Sequence, residues 1–248
     1  MKNLRITTLI LSVLCAAFMT GCFSDGDPAN ISLSILQMKM HKAMDPDGNY
    51  RKSKTYVQKQ MLVVKEGWSG QKGYIVETKF KRPDKMLIVT KEDNVPTNAI
   101  FFNGKNIWAV DYKKKTRTLL KGKPLKLMEV IGALGRPGNT YEDIFDEVNL
   151  FQSDLHGEPY YKVKCTSNFE NQEPLVVYFY IGMNNYLTKC MDVPPYVTST
   201  IDQYGLYDGI ITPALITSTA NGADKEYKLI LYKLNVKIDD NEFFPPTF

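Results

Sequence analysis

Histidine is nearly absent from this sequence, with only 2 in 248 residues. His41 and His156 lie far apart, without a metal-ligand spacing, a Cys-His pair or a Gly-x-Ser-x-Gly elbow beside them, and both read as surface residues. A phosphate-cradling glycine loop is also missing. Gly132-Ala133-Leu134-Gly135 lacks the Lys-Ser/Thr that would follow and reads as a helix end. The carboxylate pairs Asp143/Asp146 and Asp239/Asp240 suit exposed or turn positions as well as acid–base sites. The chain is therefore read as a non-enzyme with no cofactor and no metal site. A strong excess of one charge is lacking too: 31 basic against 27 acidic residues gives no reason to expect a nucleic-acid partner. The run Lys113-Lys114-Lys115, with Arg117 and Lys121, reads as a solvated hairpin tip.

A long hydrophobic run is the next absence. The apolar stretch from Ile6 to Met19, interrupted by Thr7, Thr8 and Ser12, is too short to span a bilayer. Lys2 and Arg5 precede it and small residues follow, which is the build of a secretory signal over residues 1–21. Met19-Thr20-Gly21-Cys22 resembles the bacterial lipobox, in which the Cys22 sulfur is acylated before cleavage. The alternative is a plain thiol near an ordinary cleavage site. Several acyl chains anchor stably where one does not. Phe23, rather than Asp, follows the cysteine, so the inner-membrane retention rule of enteric bacteria does not apply. The expected location is the bacterial envelope, lipid-anchored in the outer membrane and facing the periplasm. Residues 22–28 read as a lipidated tether and 29–248 as one domain.

Cysteine is scarce as well, with 4 in the chain. Cys15 leaves with the signal, so Cys165 and Cys190 remain for the folded body. If Tyr160 to Ser167, Pro174 to Ile181 and Tyr186 to Val193 form a meander, these two sit on strands separated by a third, about 9 to 10 Å apart. A disulfide needs Cα atoms within about 7 Å. Two free, buried thiols are expected.

What is present is alternation. From Tyr74 through Val76 to Phe80 the even positions are mostly apolar while Glu77, Lys79 and Lys81 are charged, the mark of a strand with one dry and one wet face. Arg82 falls on the dry parity. Asn103-Gly104 then separates two apolar runs as a hairpin signal, so Tyr74 to Tyr112 reads as a twisted meander. Before it, Val57, Met61 and Val63 share one strand parity, and Gly67-Trp68-Ser69-Gly70 makes a loop. Strands follow from about Asn149 to Val236, separated by turn signals such as Leu155-His156-Gly157, Asp208-Gly209 and Asn221-Gly222.

Helical spacing appears in few places. Leu33, Leu36, Met40 and Met44 recur on one face, with Asp27 as N-cap, and the Met-rich surface of Met38, Met40 and Met44 reads as core or as an adaptable apolar-ligand surface. Leu125, Met128, Ile131 and Leu134 form a second helix closed by Gly135, and Thr140 to Asp143 resembles a capping box starting a third piece reaching about Val148. A sheet of about ten strands curls strongly. The predicted fold class is α+β: a single large, strongly curled antiparallel sheet, its concave face covered by two or three helices.

The order of Phe80, Arg82 and Pro83; Asn103, Gly104, Trp108, Asp111 and Tyr112; Gly209, Ile210 and Pro213; and Asn235, Asp240, Phe243 and Pro245 resembles the outer-membrane lipoprotein-sorting family, the LolA/LolB-like fold. That resemblance implies that the curled sheet is an unclosed half-barrel with the helices as its lid, enclosing a hydrophobic cavity that binds acyl chains of lipoproteins or other lipids. It implies membrane attachment through the anchor and a carrier protein as a possible partner. Leu36, Met40, Tyr74, Val76, Phe80, Trp108, Met128 and Ile131 are the expected cavity and lid residues, and Arg82 matches an Arg that holds the lid shut in soluble carriers. A local pairing of Arg82 with Asp84 or a carbonyl is the competing account. The lipobox sets this chain apart from soluble shuttles and favours a tethered acceptor or lipid-binding lipoprotein. The other functional class is an envelope sensor or adaptor using the same fold for protein contacts; such regulators usually carry a second domain, whereas this sequence stops at Pro245-Pro246-Thr247-Phe248.

Overall fold

The computed structural model describes residues 26–65, 71–155, 157–170, 172–220 and 223–248. Residues 1–21, read above as a signal peptide, Cys22, the loop around Trp68, His156 and the Asn221-Gly222 turn lie outside the described residues.

The body is one 14-stranded antiparallel sheet in the order β1-β8-β9-β10-β11-β12-β13-β14-β2-β3-β4-β5-β6-β7. Its strands are β1 (Asp27–Pro28), β2 (Thr55–Lys65), β3 (Gln71–Lys81), β4 (Lys85–Glu92), β5 (Val95–Asn103), β6 (Ile107–Asp111) and β7 (Thr116–Leu119). They continue with β8 (Glu147–Leu155), β9 (Glu158–Phe169), β10 (Gln172–Gly182), β11 (Thr188–Val193), β12 (Val197–Tyr207), β13 (Ile210–Ala220) and β14 (Ala223–Leu234). The described residues also hold three α-helices, α1 (Leu33–Met44), α2 (Asn49–Lys52) and α3 (Gly122–Leu134). So many twisted strands cannot lie flat, and β-bulges in β10, β12 and β14 add curl. The sheet nevertheless stays open. Its edges are the two-residue β1 and the four-residue, Arg-bearing β7, both short, as exposed edges must be to resist pairing with other chains.

The predicted meander from Tyr74 to Tyr112 is β3 to β6, each strand paired with the next. Its last turn is longer than a two-residue hairpin. Asn103 stays out of the left-handed region and its side chain accepts from the Lys105 and Asn106 amides, so only Gly104 (φ 88°) takes positive φ. Asp208-Gly209 is a two-residue turn with positive φ at both positions.

Two helical expectations change. Asp27–Pro28 pairs with Gln152 and Phe151 as an edge strand, and the α1 N-cap is Ser32, whose hydroxyl accepts from the Ile35 amide at 3.3 Å. The segment from Thr140 makes the reciprocal Thr140–Asp143 bonds but only one turn before β8 begins at Glu147. Tyr141 and Phe145 bury in the core from that turn, and strand pairing to β9 takes over.

The face carrying Glu77, Lys79 and Lys81 is not simply wet. The chain after β14 crosses it as a strap. Ile238 and Phe243 bury against Val57, Leu87, Val89, Ala99, Phe101 and Val110, and a 3-10 turn at Asp240–Phe243 is closed by an Asp239–Glu242 capping box. Lys79 pairs with Glu242, and Lys81 and Lys85 both reach Asp240, at 2.6 and 3.0 Å. Beneath the strap, Glu77 is only 7% exposed and is answered by Lys91 at 2.7 Å, with Lys79 and Lys59 close by. Cys165 and Cys190 are free and buried, on β9 and β11 with β10 between them.

Candidate functional site: a covered cavity in the concave face

The concave face presents the even positions of β2, β3 and β4. The β2–β3 register sets Tyr56 opposite Phe80, Gln60 opposite Val76 and Leu62 opposite Tyr74. At one end of these strands the space is filled. Tyr56 stacks on Phe80 and Tyr232, with ring centroids 5.2 and 5.5 Å apart, and Met86, Ile210 and Leu229 complete a solid floor. The Tyr50 and Tyr56 hydroxyls both donate to the Gly135 carbonyl, at 2.8 and 3.0 Å, which fastens the end of α3 to the floor. A Cβ at position 135 would stand 3.0 Å from Met86 Cε and 3.1 Å from Tyr56 Oη, so glycine allows this close approach.

Above the floor a cavity of about 1180 Å³ remains. That exceeds the 300–1,000 Å³ of ordinary small-molecule sites. Leu62, Val64, Tyr74, Val76, Ile88, Ile201, Ile216 and Tyr227 make much of its wall. Burial pushes the Tyr227 phenol up to about 12 and the Tyr204 phenol up as well, so both remain neutral hydroxyls in the wall.

The lid side is α1 with the segment after α3. Met40 and Met44 line the cavity, while Leu36 is fully buried beneath the helix. Met38 is 62% exposed and points away, so the Met-rich surface is divided between cavity and outside. Gln37 ties α1 to the post-α3 segment: its amide nitrogen donates to Glu142 at 2.7 Å and its oxygen accepts from the Tyr141 amide at 2.9 Å. Lys39 donates to the Tyr186 hydroxyl at 2.8 Å from the other flank.

Arg82 lies outside the cavity and is exposed, contrary to the dry-side placement from strand parity. It sits just past the end of β3, where alternation no longer fixes burial. Its guanidinium spans three carbonyls: Ser53 at 2.7 Å, Arg51 at 2.7 Å and Pro137 at 3.0 Å. Pro137 belongs to the segment that covers the cavity, so Arg82 bridges the α2 region to the cover.

Of the other expected residues, Met40, Tyr74 and Val76 line the cavity. Phe80 shares their face but is packed into the floor. Met128 and Ile131 pin α3 against Ile107 and Leu120 rather than facing the space. Trp108 is on the opposite face, with Arg117 over its ring and Phe101 and Val110 beside it, because Ile107 and Ala109 take the concave parity of β6. Sequence reasoning missed Leu62, Val64, Ile216 and Tyr227. On β2 both parities are apolar, and Val57, Met61 and Val63 prove to be the outer set.

The cavity changes character where β4–β5 and β6–β7 turn. Glu92, Asp111, Lys113 and Lys114 line that end. Glu92 is held between Lys72 at 2.6 Å and Lys113 at 2.9 Å, and these bonds draw its carboxyl down to about 2. Burial raises the Asp111 carboxyl, but its bonds from Lys114 outweigh that and hold it below the usual range. Among the described residues no three His, Cys, Asp or Glu side chains gather as metal ligands would, and no helix is long and apolar enough to cross a membrane.

No family model and no curated protein matches the sequence. Solved structures do match by shape. A domain from Vibrio parahaemolyticus described as an outer membrane lipoprotein-sorting protein superimposes with a TM-score of 0.57 at 13% identity, covering 85% of this chain and 95% of that one. A DUF1329 family protein from Desulfovibrio piger gives 0.58 at 14% identity over 88% of this chain and 98% of its own. A LolA superfamily protein from Nitrosomonas europaea gives 0.58 at 12% identity over 87% and 98%. At such identity the likeness concerns the fold, which is LolA-like: an open half-barrel carrying helices on its concave side.

Proposed function

We propose that this chain is an envelope lipoprotein that binds acyl chains in its concave cavity and acts in lipoprotein sorting or lipid transfer to the outer membrane. The observation that carries this reading is the cavity itself: about 1180 Å³ of largely apolar space beneath a methionine-bearing helix, in a fold shared with a lipoprotein-sorting domain and a LolA superfamily protein. Each acyl methylene moved from water into such a wall contributes about 0.8 kcal/mol, so one long chain supplies ample affinity without any chemistry. Met40 and Met44 let the cover adapt to chains of differing length. The anchor belongs to the same proposal. Cys22 carries the acyl groups, and residues 22–28 then tether the body near the membrane that supplies or receives its ligand.

The test is a titration of the full chain with a dansyl-labelled fatty acid. Blue-shifted, saturable emission that a long-chain lipid displaces is the expected result. Emission no different from that in buffer would remove the proposal.

A further inference from the structure

The helix that covers the cavity has its rotation fixed from within. Leu36, Gln37 and Met40 of α1 are buried. The chain entering the helix is held as well: the Tyr161 hydroxyl donates to the Asn30 side chain at 3.3 Å, and Ala29, Ile31 and Leu33 pack on the core of β9 and β10. What remains outside is the stripe Ser34, Ile35, Met38, His41 and Lys42, all exposed. Ile35 is 41% and Met38 62% exposed, and their spacing of three makes them neighbours on one face. The helix holds no Asp or Glu in its twelve residues, and the Asp45 carboxylate beyond its end accepts from the Asn49 and Arg51 amides at 2.6 and 3.1 Å. The outer surface of the cover is thus an apolar pair beside Lys42.

Single exposed apolar residues are ordinary on any surface. This pair is set apart by its place in the chain. Among the described residues, the other large exposed apolar side chains lie on strands or in the segment after β14, and only Ile35 and Met38 share a helix. That helix is also the first element after the edge strand β1. Asp27 of β1, paired with Gln152 of β8, stands five residues after Cys22, a length of chain that reaches at most about 18 Å. With acyl groups on Cys22, as proposed above, the edge of the body that leads into α1 is held within that distance of a bilayer. Isoleucine and methionine suit the boundary between headgroups and acyl chains, and lysine suits the anionic headgroups above it.

We infer that the outer face of α1 is a membrane-contact surface: Ile35 and Met38 enter the headgroup–acyl boundary of an anionic bilayer, with Lys42 beside the phosphates. This rests on the anchor at Cys22 and adds which face of the body meets the lipid. Two side chains alone bind a bilayer weakly, but the tether raises their local concentration at the surface, so weak insertion is enough to set the orientation. An acyl chain then passes around the edge of a cover that already touches the bilayer, instead of crossing open water.

The test places an environment-sensitive NBD label on Met38→Cys in the full, anchored chain, reconstituted in phosphatidylethanolamine–phosphatidylglycerol vesicles that carry a doxyl-labelled lipid. Met61→Cys, exposed on the outer face of β2, is the comparison. Cys165 and Cys190 are buried, and the unsubstituted chain measures any labelling of them. The expected result is blue-shifted emission from position 38, quenched by the doxyl lipid at least threefold more than emission from position 61. Equal quenching at both positions, on chain that floats with the vesicles, overturns the membrane face and leaves the anchor standing. Chain that does not float overturns the anchor and this orientation with it. A blue shift in buffer that grows with protein concentration also overturns the inference, assigning the face to a second copy of the chain. Ile35→Gln/Met38→Gln supplies a functional readout: it should bind the dansyl fatty acid from buffer within twofold of the native affinity, yet extract it from vesicles at least fivefold more slowly. Extraction at the native rate would again overturn the inference. A native chain that binds no dansyl fatty acid removes the acyl-binding reading, and quenching at position 38 then still decides the membrane face.

Discussion

Arg82 shows how a residue can matter to a cavity it does not touch. Its guanidinium is not part of the cavity lining; it donates to carbonyls of Ser53, Arg51 and Pro137, and only the last belongs to the cover. The bonds to Ser53 and Pro137 are partly buried and the one to Arg51 is exposed, so Arg82→Leu should lower stability by roughly 1–3 kcal/mol. Its larger effect belongs to exchange: release of a bound fluorescent acyl probe, followed by stopped flow, should quicken severalfold while the folded state persists. An unchanged release rate would leave Arg82 a local brace with no part in the cover. Legibility at this scale followed the period of the strand. Tyr74 and Val76 were readable because dry and charged positions alternate around them. Lys225 and Ser218 were not, since polar residues in an alternating strand read as solvent-facing, and nothing local reveals that these positions line a cavity. Trp108 misled for the opposite reason. An aromatic beside apolar neighbours does not declare which face of a sheet is concave.

At the scale of elements, the strap after β14 decides which charges are structural. Glu77 draws Lys59, Lys79 and Lys91 together from β2, β3 and β4, while Lys79 also reaches Glu242 in the strap. Burial alone would raise the Glu77 carboxyl, but Lys91 and the other two ammonium groups leave it below its ordinary value. A depressed carboxylate stabilises the fold above the unfolded pKa, near 4.3, and that contribution is lost as pH falls through the lower folded value. Glu77→Gln should therefore cost on the order of 1 kcal/mol at pH 7, the lysines being partly exposed. The gap from the native chain in chemical denaturation should close below about pH 4. A gap that stays constant from pH 7 to pH 3 would place the effect in packing instead. The strap was hidden in the sequence because Asn235 to Phe248 has no period of its own; it takes its form from the sheet it crosses. The Thr140 capping box was visible, but the bonds fix only one turn, and the burial of Tyr141 and Phe145 leads the chain into β8. Helix α3 was legible through Leu125, Met128, Ile131 and Leu134, whose spacing survives as packing on Ile107 and Leu120.

For the molecule as a whole, strand count dictates the curl. Repeated alternation punctuated by Asn-Gly and Asp-Gly pointed to one large antiparallel sheet, and a sheet of that size must curl. What alternation could not supply was depth. The same curl could have closed on its own side chains, as it does at Tyr56, Phe80 and Tyr232, or left space, as it does around Leu62, Ile216 and Tyr227. The proposed function requires that this space hold an acyl chain. Native mass spectrometry of the full chain, purified from membranes in mild detergent, addresses it most directly, with Leu62→Trp as the comparison because an indole there projects into the middle of the cavity. The expected result is a bound lipid mass on the native chain that is absent or strongly reduced on Leu62→Trp at equal stability. An empty native chain, or lipid retained equally by both, would contradict it.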